Sequence, residues 1–203
     1  MASIYQLKPA FQSCLRPIVK TLAKLGISAN FVTLFACVLS IILGYAFLLY
    51  PDKYILICIL PGFLLFRMAL NAIDGMLARE HNMQSKLGAF LNELTDVISD
   101  AILYFPFAII LGVRIDYAFL FVLFAATSEM AGVIATQVGS TRRYDGPMGK
   151  SDRAFVIGVI ALLIAFRAPF LKKEYLDWAF IILSVLTFIT TANRVRKALK
   201  ENS

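Results

Sequence analysis

Residues 71–100 read NAIDGMLAREHNMQSKLGAFLNELTDVISD. Both flanks are apolar: ILICILPGFLLF occupies 55–66 and AILYFPFAIILGV occupies 101–113. Ionisable and amide groups inside such runs are costly in a bilayer and persist where they pair or serve a function. Arg67, Asn71, Asp74 and Ala78 fall at i, i+4, i+7 and i+11, one face of a helix. Gly88, Asn92, Asp96 and Asp100 follow at intervals of four, one face of a second helix. The short polar loop between them, with His81, starts both faces from the same side. Turned toward one another, they make an oxygen-rich cluster suited to hard cations, and no His or Cys pattern favours zinc.

Working outward, the whole chain is apolar. Of its 203 residues 60% are hydrophobic and 16% charged, and mean hydropathy is +0.76; a soluble domain has roughly 45–50% apolar and about 25% charged residues. The expectation is an all-α polytopic membrane protein. The net charge of +7 could suggest nucleic acid, but the basic residues cluster between apolar runs, as topology determinants do. The lipid bilayer, with its anionic lipids, is the expected partner and nucleic acid is not. Cys14, Cys37 and Cys58 show no metal or disulfide spacing and read as packing residues. No cleavable leader is expected, so the first span serves as insertion signal.

Residues 3–25 place Ile4, Leu7, Phe11, Leu15, Ile18, Val19 and Leu22 near helical spacing with basic residues between them. This predicts an amphipathic interfacial helix, broken or kinked at Pro9 and Pro17 and ended by Gly26. Six transmembrane helices are expected at about 29–50, 54–78, 86–112, 116–138, 153–168 and 175–195, on a criterion of about 20 apolar residues per crossing. The fifth closes early at Arg167 and Pro169. Lys and Arg in alternate loops number 14 on the side of Lys8, Arg79, Arg142 and Arg194, against 5 on the side of Lys53, Arg114, Arg167, Lys172 and Lys173. Both termini are therefore expected in the cytoplasm. The domain reading is a juxtamembrane helix over 1–27 and a six-helix membrane domain over 28–203.

The spacing Asn71-x-x-Asp74-Gly75-x-x-Ala78-Arg79, eight residues, Gly88, Asn92 and Asp96 resembles the signature DxxDGxxARx(8)GxxxDxxxD of the CDP-alcohol phosphotransferases, also called phosphatidyltransferases. The departures are Asn71 and Asn92, which stand where the signature has its first and third aspartates. The resemblance implies an integral-membrane, divalent-metal-dependent enzyme of phospholipid synthesis, in which an acceptor hydroxyl displaces CMP from a CDP-alcohol such as CDP-diacylglycerol. It implies Asp96 as general base, with Asn71, Asp74, Asn92 and Asp96 as the positions that hold Mg²⁺ or Mn²⁺. It also implies Asp74, Gly75, Ala78, Arg79 and Gly88 around the CDP moiety, and a homodimer in a bacterial inner membrane with its site at the cytoplasmic side. Asp100, one turn beyond Asp96, and Glu93 at the rim are candidates to make up the lost carboxylate charge. An amide oxygen coordinates Mg²⁺ more weakly than a carboxylate, so one metal or looser binding is expected.

A second basic cluster, Arg142, Arg143, Lys150 and Arg153, surrounds the turn at Gly146-Pro147 and Gly149. Lys150 and Arg153 are candidates for an acceptor or head-group phosphate, Arg153 foremost because it should point into the bundle; the alternative is a positive-inside anchor. Ser151 and Asp152 are expected to cap the fifth span. Glu129 could face the cavity, a dimer seam or Arg67. Tyr50, Tyr54, Tyr175 and Trp178 read as interfacial aromatics. Two alternative functions remain: a weakened relative that binds CDP-lipid or cation without turnover, and a cation or proton-coupled transporter using the buried charges as a relay. Transporters place such groups near the midplane of paired repeats, and no repeat is visible here.

Overall fold

The computed structural model describes residues 8–167 and 173–201; Ile4, Leu7, Pro169 and Lys172 lie outside them. Among the described residues the chain forms seven helices: α1 (Lys8–Lys24), α2 (Ala29–Leu49), α3 (Tyr54–Glu80), α4 (Lys86–Ile110), α5 (Ile115–Gln137), α6 (Lys150–Ala165) and α7 (Lys173–Glu201). Short polar side chains start three of them, α2, α4 and α6. Ser28 Oγ accepts from the Phe31 amide at 3.2 Å, Ser85 Oγ from the Gly88 amide at 2.9 Å, and Asp152 Oδ2 from the Gly149 amide at 3.1 Å. The cap of α6 thus comes from Asp152 reaching back over one turn, without Ser151. Gly26, at φ +74°, ends α1 as expected and lets the Ile27 amide reach the Leu22 carbonyl.

Proline does not break α1. The helix runs through Pro17, and Pro9 lies in its first turn, where a missing N–H costs nothing. Its apolar face is also spoken for: Leu15 and Val19 are buried with Val32 of α2 and Ile73, Met76 and Leu77 of α3, while Ile18 stays exposed.

Contacts near the helix ends define the two ends of the bundle. At one end Arg16 pairs with Glu80, Asn30 meets Ser85, and Arg143 reaches Glu201. At the other the Tyr54 hydroxyl lies 2.8 Å from the carbonyls of Ile164 and Ala165, and the Arg114 amide donates to Asp177. The main core, at the second end, joins Phe47, Leu60, Leu64, Tyr104, Phe107, Phe121 and Phe180. Along α3, Arg67 falls between this core and the α1–α3 cluster, so a polar layer separates two apolar ones.

Four helices, α2, α3, α5 and α7, are long and apolar enough to cross a membrane. Their outer faces are apolar and exposed, as at Phe35, Ile42, Leu65, Phe119 and Phe188, which suits lipid rather than water. Of the others, α4 holds Glu93, Asp96 and Asp100 in its interior, and α6, 16 residues long, has Lys150, Asp152 and Arg153 in its first turn.

Candidate active site

A cavity of about 390 Å³ opens between α2, α3, α4 and the 81–85 loop. Asp74, Gly75, Ala78 and Arg79 of α3 face Gly88, Asn92 and Glu93 of α4 across it, and Asn30 and Thr33 of α2 close the third wall. The glycines shape this wall. A Cβ on Gly75 would lie 3.1 Å from Arg79 Nη2, and one on Gly88 would lie 2.6 Å from Asn30 Oδ1. Asp74 is buried and accepts from Thr33 Oγ1 at 2.7 Å through Oδ2. Thr33 and Asn30 escaped the sequence reading; their signal was slight, two small polar residues in the first turns of a span capped by Ser28.

Asp96 lies deeper, beside rather than on the cavity wall. Asn71 Nδ2 donates to its Oδ1 at 3.2 Å, the Lys150 ammonium pairs with the same oxygen, and Arg67 Nη2 stands 3.8 Å away. Lys150 also interacts electrostatically with Asp74 and Asp100. The first turn of α6 therefore delivers one ammonium into the space between the carboxylates of α3 and α4. Asp100, a candidate metal position on sequence grounds, is committed elsewhere. Its Oδ1 accepts from Arg67 at 2.7 Å and its Oδ2 from Arg153 at 3.0 Å.

The pairing continues across the bundle. Arg153, fully buried, bridges Asp100 to Glu129 of α5 at 2.9 Å and donates to Ser128 Oγ at 3.2 Å. Glu129 also meets Arg194 of α7 at 3.3 Å and Arg142 at 3.6 Å, and Arg142 closes the circuit on Glu93 at the cavity rim. Glu129 thus answers to three arginines, and Arg67 is not among them. Arg142, Lys150, Arg153 and Arg194, counted above as loop charges, all turn inward. The reason is charge: Asp96, Asp100, Glu93 and Glu129, with Asp74, are five anionic groups in a membrane-embedded interior, and Arg67, Arg142, Lys150, Arg153 and Arg194 are five cations that match them. Gly132 permits this, since a Cβ there would lie 2.7 Å from the Arg143 carbonyl and 3.3 Å from Arg194 Nη1.

The chain is thus a helical membrane bundle with a polar cavity beside two buried carboxylates, Asp74 and Asp96. The chain belongs to the CDP-alcohol phosphatidyltransferase family, whose model matches residues 26–191. It is 42% identical to the inner membrane protein YnbA of Escherichia coli over 97% of this chain and 96% of that protein. To the archaetidylinositol phosphate synthase of Pyrococcus horikoshii it is 30% identical, over 96% of this chain and 97% of that one. The fold matches the phosphatidylinositol phosphate synthase of Mycobacterium tuberculosis, solved with manganese and citrate, at a TM-score of 0.69 and 21% identity over 90% of this chain and 88% of that one. The same fold was solved with CDP-DAG bound, again at a TM-score of 0.69.

Proposed function

We propose that the protein is an integral-membrane transferase in which an acceptor hydroxyl displaces CMP from a CDP-alcohol, CDP-diacylglycerol foremost, to form a phosphodiester lipid. The observation that carries this reading is the cavity, where Asp74, Gly75, Ala78, Arg79, Gly88 and Asn92 come together from two helices. Arg79 supplies the cation for the nucleotide phosphates, and the two glycines keep the slot open for the planar base. The names of the relatives support the donor, since one solved structure holds CDP-DAG.

The acceptor oxygen bonds to the β-phosphorus, the bond from that phosphorus to CMP breaks, and Asp96 takes the hydroxyl proton. Asn71 and Lys150 hold Asp96 in place for this role. Of the two candidates for an acceptor phosphate, Arg153 is sealed between Asp100 and Glu129, whereas the Lys150 side chain retains 24% exposure. Lys150 is therefore the reachable group and Arg153 a positioning residue.

The donor set fits a hard cation in part. Asp74 and Asp96 offer carboxylates and Asn71 and Asn92 carboxamide oxygens, the chemistry of Mg²⁺ or Mn²⁺, and a relative was solved with manganese. Among the described residues no three carboxylate, imidazole or thiolate groups converge as a metal site, and Asp100 is held by arginines. Bound there, a divalent cation supplies charge neutralisation to the departing CMP. In this reading α2 to α7 each cross a bacterial inner membrane, α1 lies at the cytoplasmic interface, the site opens to the cytoplasm and the enzyme is a homodimer.

A second reading, binding without turnover, is favoured by one observation: Asp96 already carries an ammonium and an amide donor. The deciding experiment supplies the purified chain in nanodiscs with CDP-diacylglycerol, Mg²⁺ or Mn²⁺, and a panel of acceptors (glycerol phosphate, serine, inositol phosphate, lipid alcohols), and measures CMP release. Release with one acceptor class is the expected result. Binding of CDP-diacylglycerol without release for any acceptor would establish the second reading instead.

A further inference from the structure

The active site of this chain differs in charge from the one its motif spacing implies. Each asparagine at positions 71 and 92 removes one negative charge from the four-carboxylate signature, and the two together equal the charge of one divalent cation. Counting the partly exposed Glu93, Arg142 and Lys150 with the buried groups, five anions meet five cations before any metal enters. Every divalent cation therefore adds two positive charges to this site, and a second one has no further carboxylate to answer it, because Arg67 and Arg153 already hold Asp100.

The contacts point the same way. Among the described residues the side-chain partners of Asp96 all engage Oδ1, and the one side-chain partner of Asp74 engages Oδ2. That leaves Asp96 Oδ2 for a cation, and Asp74, which also takes the Gly75 amide, has no cation in direct contact among the described residues. The committed oxygen of Asp96 already faces a positive charge, the Lys150 ammonium, carried in on a helix whose first turn is locked by Asp152 and by the buried Arg153. Arg67 and Arg153 saturate Asp100, so no third carboxylate is available to hold another ion.

We infer that this site takes a single divalent cation, shared by Asp74 and Asp96 with the carboxamide oxygens of Asn71 and Asn92, and that the Lys150 ammonium on Asp96 supplies the positive charge that a second cation would otherwise bring. This rests on the transferase reading only for the identity of the site. The metal count is measured without turnover.

The test is a Mn²⁺ titration of the full-length protein in nanodiscs of zwitterionic lipid, followed by electron paramagnetic resonance and by metal analysis after equilibrium dialysis. Protein-free nanodiscs define the background, and the Asp74→Asn/Asp96→Asn variant should fall to it. The expected result is one Mn²⁺ per chain above background, with the resolved six-line spectrum of an isolated ion. The Asn71→Asp/Asn92→Asp variant should bind a second Mn²⁺, with the broadening that spin coupling between neighbouring ions gives. Two Mn²⁺ per wild-type chain, a spin-coupled wild-type spectrum, or no binding above background would each overturn the inference, and the wild-type count decides even if the variants do not fold. CMP release is assayed separately on the same samples. One ion without release for any acceptor would sink the transferase reading and leave the metal count standing, and release with two ions bound would do the reverse.

Discussion

Arg67 Nη1 donates to Asp100 Oδ1 at 2.7 Å while Nη2 reaches the Asp96 carbonyl at 3.2 Å. One buried guanidinium on α3 therefore fixes the side chain of one α4 carboxylate and the backbone of the other. Removing one partner of a buried pair strands the survivor, at about 3–5 kcal/mol. Because Arg153 still holds Asp100, the lower end is expected for Arg67→Met, about 3 kcal/mol, read as a fall in apparent melting temperature in detergent. Arg67→Lys keeps the charge but loses the fork that serves two acceptors, and should fall between. A methionine variant as stable as the parent would mean that the pair contributes nothing.

The glycines separate folding from binding. A Cβ at Gly44 would lie 2.2 Å from the Ile102 carbonyl oxygen, where the backbones of α2 and α4 meet. Gly44→Ala should cost about 1–3 kcal/mol. At Gly75 the neighbour is the end of the Arg79 side chain, at 3.1 Å, which can give way. Gly75→Ala should leave the melting temperature within error and raise KM for the CDP-alcohol, because the displaced guanidinium no longer meets the phosphates. Gly62→Ala, with nothing within 4 Å, is the control for both.

Much of this was legible in the sequence because period and spacing are local. The faces carrying Arg67, Asn71 and Asp74, and Asn92 and Asp96, follow from 3.6 residues per turn, and the starts at 29 and 86 follow from the length of the apolar runs. What the sequence hid was partner choice among long charged side chains. Arg142 and Arg194 read as loop charges because positive-inside counting treats every Lys or Arg near a helix end alike, whereas Arg153 was expected to point into the bundle and does. In the fold they converge on Glu129 from a loop and two helices, a juxtaposition set by tertiary packing. Asp100 was misjudged for the same reason: its position on the helix face was right, yet both its oxygens belong to arginines on other helices. Gly44 gave no motif at all, since close approach of α2 to α4 depends on which residue of α4 lies opposite.

Outside the spans, the 142–145 turn carries a pH dependence. Partial burial pushes the Asp145 carboxyl up, but hydrogen bonds from Lys197 at 2.6 Å and Arg143 at 2.7 Å outweigh it and hold the group below the usual carboxylate range. A folded value below the unfolded one contributes stability that is fully present above the unfolded carboxyl pKa, about 3.9, and is lost as pH falls through the folded value. Asp145→Asn should therefore melt below the parent at about pH 6, with the gap closing below about pH 4. Melting curves of both proteins across that range are the check, and a gap that stays constant would rule out Asp145 as the titrating group.

Asp96 and Lys150 touch, but the proposed mechanism gives them separable roles. As the base, Asp96 acts on the acceptor proton, so Asp96→Asn should lower kcat for CMP release by about 10²–10⁴ while CDP-diacylglycerol still binds in the cavity formed by Asp74, Gly75, Arg79 and Gly88. Lys150→Met removes a cation with partial access to solvent, so it should raise KM for an acceptor that bears a phosphate by more than it raises KM for CDP-diacylglycerol, which keeps Arg79. The pair distinguishes chemistry from recognition. If Asp96→Asn changed only KM, the carboxylate would be a binding group and the proton would have to leave by another route. If Lys150→Met lowered kcat as far as Asp96→Asn does, with both KM values unchanged, the ammonium would act through Asp96 alone, as the group that holds it in place.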